Sequence, residues 1–260
     1  MSSKKPRVLI PVFPGSTGEY ELESQFRKAG ADVSVFLFRT LAASEILESY
    51  TGLAAAIGQA DILAIPSGMS AGAEPDGSAK LITLILRNPG VKKAVKDLTE
   101  ARKGLVLGLG EGFKALVKTG LITQGQIRDE ESGDIVIAKH PANEYPNALR
   151  SVRIEHVKSP WLTGMDGDIE TVPVSGLDGV VYMPQELYLE CREKGQIAAQ
   201  YLGEQPPYSV EAMTSENGLI LGRAGLVERL KKGLYVNVQE ATESKIFANA
   251  VNYISGRKSL

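Results

Sequence analysis

Cysteine is nearly absent from this chain: Cys191 is the only one in 260 residues, which excludes an internal disulfide framework and any multi-cysteine metal centre. Histidine is almost as scarce. His140 and His156 are the two present, they sit among polar or charged neighbours, and no metal-ligand spacing accompanies them. Neither sign of charge prevails, since 29 Lys and Arg stand against 31 Asp and Glu for a formal net charge of −2. That balance argues against a nucleic-acid binder or a membrane-surface protein. Long hydrophobic runs are missing as well. The N-terminal stretch MSSKKPRVLIPVFPG carries an apolar run of only about six residues, short of a signal-peptide core or a membrane span. Together these absences point to a soluble protein of the reducing cytoplasm that holds no metal and no cofactor.

What is present is material for an ordinary core. Hydrophobic residues make up 43% of the chain. At this length a compact chain buries roughly 70 to 75% of its unfolded surface, so no staple is needed. No linker rich in Pro, Gly or Ser, no internal repeat and no low-complexity segment divides the sequence, and residues 1–260 read as one domain.

The first half alternates strand and helix patterns. Val8 to Phe13 is a continuous apolar run ending at Pro14-Gly15, as in a buried parallel strand. A helix capped by Ser16 or Thr17 is expected next, with Leu22, Phe26 and Ala29 as its apolar stripe and Gly30 at its end. Val33 to Phe38 and Asp61 to Pro66 read as further strands around a helix from Ser44 to about Ile57. Helices over Ser78 to Leu86 and Val91 to Ala101 precede the strand Leu105 to Leu109, and a helix from Glu111 to Thr119 follows it. This order predicts a doubly wound, mainly parallel α/β sheet of the flavodoxin-like kind, with its sites at the C-terminal ends of the strands. The second half has shorter strand-like stretches at 134–138, 151–157, 170–174, 196–201, 210–213 and 219–221, then an amphipathic helix from about Ala241 to Tyr253. These are expected to extend the sheet in antiparallel fashion.

The segment richest in chemistry is Gly108-Leu109-Gly110-Glu111-Gly112, where a strand turns at once into a helix. Such a turn has the form of a nucleophile elbow, whose central residue stands above the sheet with backbone N–H groups aimed at a developing oxyanion. Here the central residue is Gly110, which has no side chain to attack with. The same glycines allow two other readings: a tight turn needed for backbone reasons alone, and a dinucleotide fingerprint, which lacks its third glycine at Phe113 and sets Glu111 beside the phosphates. Gly68-Met69-Ser70-Ala71-Gly72 matches G-x-S-x-G, but Glu74-Pro75-Asp76-Gly77 interrupts any helix after the serine, and a loop is the simpler reading. Cys191 lies in a polar stretch without strand-to-helix geometry and reads as structural.

Nearly the whole chain resembles the glutaminase domain of phosphoribosylformylglycinamidine synthase, a class I glutamine amidotransferase. The resemblance is carried by VLIPVFPGSTGEYE from Val8, IPSGMSAGAEPDGSAK from Ile65, LGLGEGFKALVKTGLI from Leu107, KSPWL from Lys158, VPVSGLDG from Val172, GQIAAQY from Gly195 and SENGLILGRAGLVERLKKGLY from Ser215. In that family the elbow reads G-I-C-N-G-F-Q, and its cysteine attacks the side-chain amide of glutamine to release ammonia to a synthetase. The resemblance places that cysteine at Gly110, its histidine base at Leu226 and the orienting glutamate at Glu228. Oxyanion and pocket positions fall on Ser67, Gly68, Met69, Glu111 and Gly176.

The departures extend beyond nucleophile and base. The family's paired glycines read Ser67-Gly68, the aspartate after S-A-G is Ala73, S-H-G-E-G-R is Ser175-Gly176-Leu177-Asp178-Gly179-Val180, and G-T-N-C is Gly15-Ser16-Thr17-Gly18. The resemblance therefore implies a glutaminase scaffold without glutaminase chemistry, acting as a docking or regulatory subunit of a purine-biosynthetic synthetase. Two rivals remain at this stage: an amidohydrolase or amidotransferase using Ser70 or Cys191, and a small-ligand binder using the vacated pocket.

Overall fold

A computed structural model of the chain describes residues 5–69, 79–139, 147–175, 178–205, 209–235, 238 and 242–258. Its strands are β1 (Arg7–Val12), β2 (Asp32–Leu37), β3 (Ile62–Ile65), β4 (Leu105–Leu109), β5 (Val136–Lys139), β6 (Asn147–Ile154), β7 (Ile169–Ser175), β8 (Asp178–Tyr182), β9 (Ile197–Tyr201), β10 (Val210–Thr214) and β11 (Ile220–Arg223). Its helices are α1 (Glu19–Lys28), α2 (Ala43–Gln59), α3 (Lys80–Arg87), α4 (Pro89–Lys96), α5 (Glu111–Lys118), α6 (Leu121–Gln124), α7 (Gln185–Glu193) and α8 (Ile246–Lys258).

Nine strands form one sheet in the order β2-β1-β3-β4-β11-β10-β9-β6-β7. From β2 to β11 every pairing is parallel, and from β11 to β7 every pairing is antiparallel. Strands β5 and β8 make a separate antiparallel pair. The inner parallel strands β3 and β4 are apolar and buried throughout because both of their faces are covered, whereas the edge strand β2 is largely exposed. Side chains alternate between the two layers, as a two-residue period requires: Leu105, Leu107 and Leu109 point into the core under α1 and α8, while Val106 points into the core under α2 to α5. On the first side Phe26 meets Phe247 edge to face, with ring centroids 5.1 Å apart.

The mainly parallel sheet with an antiparallel extension is the architecture that the βα alternation predicts. Four details differ. The stretch at 219–221 is not part of the extension: as β11 it lies beside β4 in parallel, so the chain returns to the centre of the sheet after building its edge. Helix α1 is capped by neither Ser16 nor Thr17, since Gly18 is its N-cap residue. Ser16 Oγ instead accepts from the Phe13 amide at 3.0 Å, and Thr17 is bound to Ser67 and Arg229. The polar stretch around Cys191 is helix α7, and β8 is a strand, each too short and too polar to stand out by periodicity. Finally, α8 starts at Ile246 rather than near Ala241.

The two halves of the sheet are joined by a buried ion network. Arg223, fully buried at the end of β11, donates to both Glu211 oxygens on β10 through Nε, at 3.2 and 3.1 Å, and through Nη2 at 3.0 Å. Its Nη1 donates to Glu170 on β7 at 2.6 Å. Ser244 donates to the other Glu170 oxygen, and the Gly225 amide donates to Glu211 Oε1 as well. Removing one member of such a set strands a charge without solvent. Glu211→Gln is therefore expected to lower unfolding free energy by about 3–5 kcal/mol, whereas Glu211→Leu combined with Arg223→Met costs clearly less. Urea unfolding of the two variants checks this; equal losses would show that the network is not acting as a unit.

Candidate active site

The site lies where β1, β3, β4 and β11 end, at the C-terminal edge of the parallel half. Gly110 joins β4 to α5 with φ +50° and ψ −107°, and its amide donates to the Arg223 carbonyl of β11 at 2.9 Å. The glycines on either side serve packing. A Cβ on Gly112 would come within 2.5 Å of the Ile65 carbonyl oxygen, and one on Gly108 within 2.7 Å of Gly112. The elbow thus has its strand-to-helix geometry, with α5 starting immediately after Gly110.

Two side chains crowd the partly exposed Gly110. A Cβ placed there would lie 3.1 Å from Leu226 Cδ2 and 3.1 Å from Ser67 Cβ. Leu226 reaches this position from the turn after β11, which is pinned to β7 by a bond from the Leu226 amide to the Pro173 carbonyl at 2.8 Å. Ser67 reaches it from the loop after β3. That loop and the one after β1 are clasped by bonds from the Thr17 amide to the Ser67 carbonyl at 2.8 Å and from the Met69 amide to the Gly15 carbonyl at 2.9 Å. Gly68 stands at the crossing, where a Cβ would meet the Gly15 carbonyl oxygen at 2.5 Å. Met69 beyond it is exposed.

Glu228 is the second feature of the site. Its carboxyl group is buried and lies 2.8 Å from Ser67 Oγ, which is also 3.0 Å from the Thr17 carbonyl oxygen. A serine hydroxyl has one proton and cannot donate to both. A protonated Glu228 resolves the conflict: it donates to Ser67 Oγ, and the serine donates to Thr17. Burial pushes the Glu228 carboxyl up to about 7, against the opposing effects of the Ser67 bond and of Arg229. The nearest cation gives limited relief, because Arg229 Nε is 3.7 Å from Oε1 while its Nη2 is bound to Thr17 Oγ1 at 3.0 Å. Gln25 of α1 fixes the turn by donating to the Glu228 and Leu230 carbonyls.

Glu111 is turned away from any ligand role by its own contacts. Buried at the start of α5, it accepts from the Ala79 amide at 2.5 Å and lies 3.6 Å from Lys114 Nζ, tying α3 to the elbow. Its carboxylate also offsets the positive end of α5, so the elbow is a poor place for a second anion. Gly176, Ser70, Glu74, Asp76 and His140 lie outside the described residues. His156 is at the surface, with Nδ1 2.9 Å from Asp166 Oδ2. Cys191 is buried on α7 within the apolar core, where desolvation pushes its thiol up to about 11. A thiol so protonated is not a nucleophile at neutral pH. Among the described residues no group of three or more His, Cys, Asp or Glu could hold a metal ion.

The sequence reasoning named the positions that the fold gathers here, with Gly18 among the departures from the family pattern, but missed Arg229, which completes the group. A Cβ on Gly18, at φ +82°, would lie 2.7 Å from Ser67 Oγ and 2.9 Å from Glu228 Oε1.

A strand-to-helix elbow at the C-terminal edge of a parallel sheet, continued by antiparallel strands, is the fold of class I glutamine amidotransferases. The chain belongs to the family of CobB/CobQ-like glutamine amidotransferase domains, whose profile matches residues 5–254. It is 26% identical to the phosphoribosylformylglycinamidine synthase subunit PurQ of Gloeobacter violaceus over 65% of each chain. To PurQ of Sulfurimonas denitrificans it is 26% identical over 92% of each. In three dimensions it superposes on a chain of PurLQS from Thermotoga maritima with a TM-score of 0.68 at 16% identity, covering 96% of this chain and 100% of that one. The resemblance carried by the sequence motifs is thus borne out.

The Glu228 carboxyl makes stability depend on pH in a definite sense. Its folded value, about 7, lies above its ordinary value of 4.5, so between these limits the folded chain keeps a proton that the unfolded chain has lost. The contribution is complete below about pH 4.5 and is lost as pH rises through about 7, on the order of 3 kcal/mol in all. Glu228→Gln, which mimics the neutral acid, is expected to flatten the slope and to exceed the parent in stability at alkaline pH. Urea unfolding near pH 5 and near pH 8 reads both, and an unchanged slope in the variant would contradict this assignment.

Proposed function

We propose that this protein is a PurQ-like component of de novo purine biosynthesis that no longer hydrolyses glutamine and acts by docking on a synthetase. The observation that carries the reading is Gly110 at the centre of the elbow with Leu226 and Ser67 beside it. An elbow enzyme needs a nucleophile at that centre and a base beside it. Glycine and leucine offer neither, and loss of either group costs on the order of a million-fold where the pair is essential. The rival readings have less support. Cys191 is buried in the core with a raised pKa, and Leu226 and Ser67 narrow the pocket expected to be vacant.

Docking is supported by the rim of the same edge. Tyr20 follows β1, Leu41 follows β2 and Met69 follows β3, and all three are exposed apolar side chains, Leu41 to 96%. Apolar residues gathered on loops at the functional edge suit a protein partner better than solvent. PurQ and PurLQS give the class of that partner: a phosphoribosylformylglycinamidine synthase component.

Two measurements test the reading. The purified protein is expected to release no ammonia from glutamine above background; turnover that survives Ser70→Ala and Cys191→Ala would overturn the inactive assignment. Light scattering with the cognate synthetase is expected to show a complex at tens of micromolar, equivalent to about −6 kcal/mol or better. Leu41→Asp with Met69→Asp should weaken it at least about tenfold.

A further inference from the structure

A cleft of about 290 Å³ lies at the other end of the sheet, between α7, β6 and β9. Strand β9 runs antiparallel to β10, and β10 antiparallel to β11, so β9 points the same way as β4. Its C-terminal end, Gln200 and Tyr201, therefore opens on the same sheet edge as Gly110. Three strand spacings, roughly 14 Å, separate the two strands.

The cleft is built from polar groups that hold one another. Gln200 Oε1 accepts from the Tyr188 hydroxyl at 3.0 Å and from the Ser209 hydroxyl at 2.9 Å, and both donors are buried. Gln200 Nε2 donates to Glu155 at 2.9 Å. Glu155 in turn accepts from Arg153 Nε and Nη2, at 3.2 and 2.9 Å. The chain from buried hydroxyls to guanidinium fixes Arg153 at the wall and leaves its Nη1 without an assigned acceptor. Arg192 of α7 lines the cleft as well, and no carboxylate among the described residues pairs with it. Glu204 at the rim is paired with Arg150. Counting Arg150, Arg153 and Arg192 against Glu155 and Glu204, three guanidinium groups meet two carboxylates here, leaving an excess of one positive charge.

We propose that this cleft binds a small metabolite through an oxyanion group, a phosphate ester or a carboxylate, held by Arg192 and the free edge of Arg153. Guanidinium forks match both groups in geometry, and a pre-held arginine loses less freedom on binding than a mobile one. The volume suits a head group with a short polar stem and excludes larger ligands. The proposal is independent of whether the elbow retains any chemistry, because none of its residues belongs to that site.

Isothermal titration at constant ionic strength tests it, with glycerol 3-phosphate and acetate as the probes that separate the two sources of charge. Binding of at least one at a dissociation constant of about 10 mM or tighter is expected, weakened about tenfold by Arg192→Gln and unchanged by Arg39→Gln, which removes the same charge far from the cleft. Arg192 is exposed on its helix, so the variant folds. Absence of binding by both probes, or equal binding by wild type and Arg192→Gln, would overturn the proposal.

Discussion

The buried Arg223 guanidinium is the point at which the two halves of this protein are made one. Strand β11 enters the sheet between β4 and β10, the last parallel neighbour and the first antiparallel one. Its C-terminal residue spends its donors on Glu211 and Glu170, from β10 and β7. The Gly225 amide binds Glu211, so the turn that follows is fixed by the same carboxylate. From that turn Leu226 leans over Gly110 and Glu228 enters the space beside Ser67. The same turn is also held by backbone bonds from Ala224 to Glu211 and from Leu226 to Pro173, by Gln25 of α1, and by the Glu228 and Arg229 contacts with Ser67 and Thr17. The contents of the elbow follow from an ion pair on the far side of the strand.

Two departures from the family motif that look separate in sequence are one event in space. The family pattern has cysteine where Gly18 stands and glycine where Ser67 stands. A Cβ at position 18 would lie 2.7 Å from Ser67 Oγ, so the side chain present at 67 requires its absence at 18. The serine then gives the buried Glu228 a hydrogen-bonding partner among the described residues. Without that partner the carboxyl group would bear the full cost of an unsatisfied buried acid. Protonation near neutrality and the Ser67 bond together make retention of Glu228 tolerable.

The fold was legible in the sequence because its signals are local. Apolar runs at 8–13, 61–66 and 105–109, each ending in glycine or proline or passing straight into a helix, define the parallel strands without reference to anything distant. Motifs such as KSPWL and GQIAAQY keep their form for packing reasons: Trp161 is buried with Nε1 bound to the Leu219 carbonyl, and Gln196 donates to the Ile122 and Thr123 carbonyls. What was not legible depends on partners far along the chain. The parallel insertion of β11 follows a long excursion of β5 to β10, and neither the Arg223 network nor the Gly18–Ser67–Glu228 group has any sequence spacing that announces it. Helix α7 escaped because its charged residues conceal a buried face of Tyr188 and Cys191.

An elbow without its nucleophile is also a less strained elbow. At φ +50° and ψ −107° the backbone of residue 110 occupies a region where a side chain costs on the order of 1–3 kcal/mol, a cost that catalytic turns sustain because the surrounding structure over-determines them. Glycine removes it. Leu226 and Ser67 stand close beside Gly110. On the reading proposed above, these are residues that selection for stability alone would favour. The exposed apolar side chains of Tyr20, Leu41 and Met69 on the same edge have no such explanation: they gain nothing for the isolated fold, and contact with another protein is the circumstance in which they would be buried.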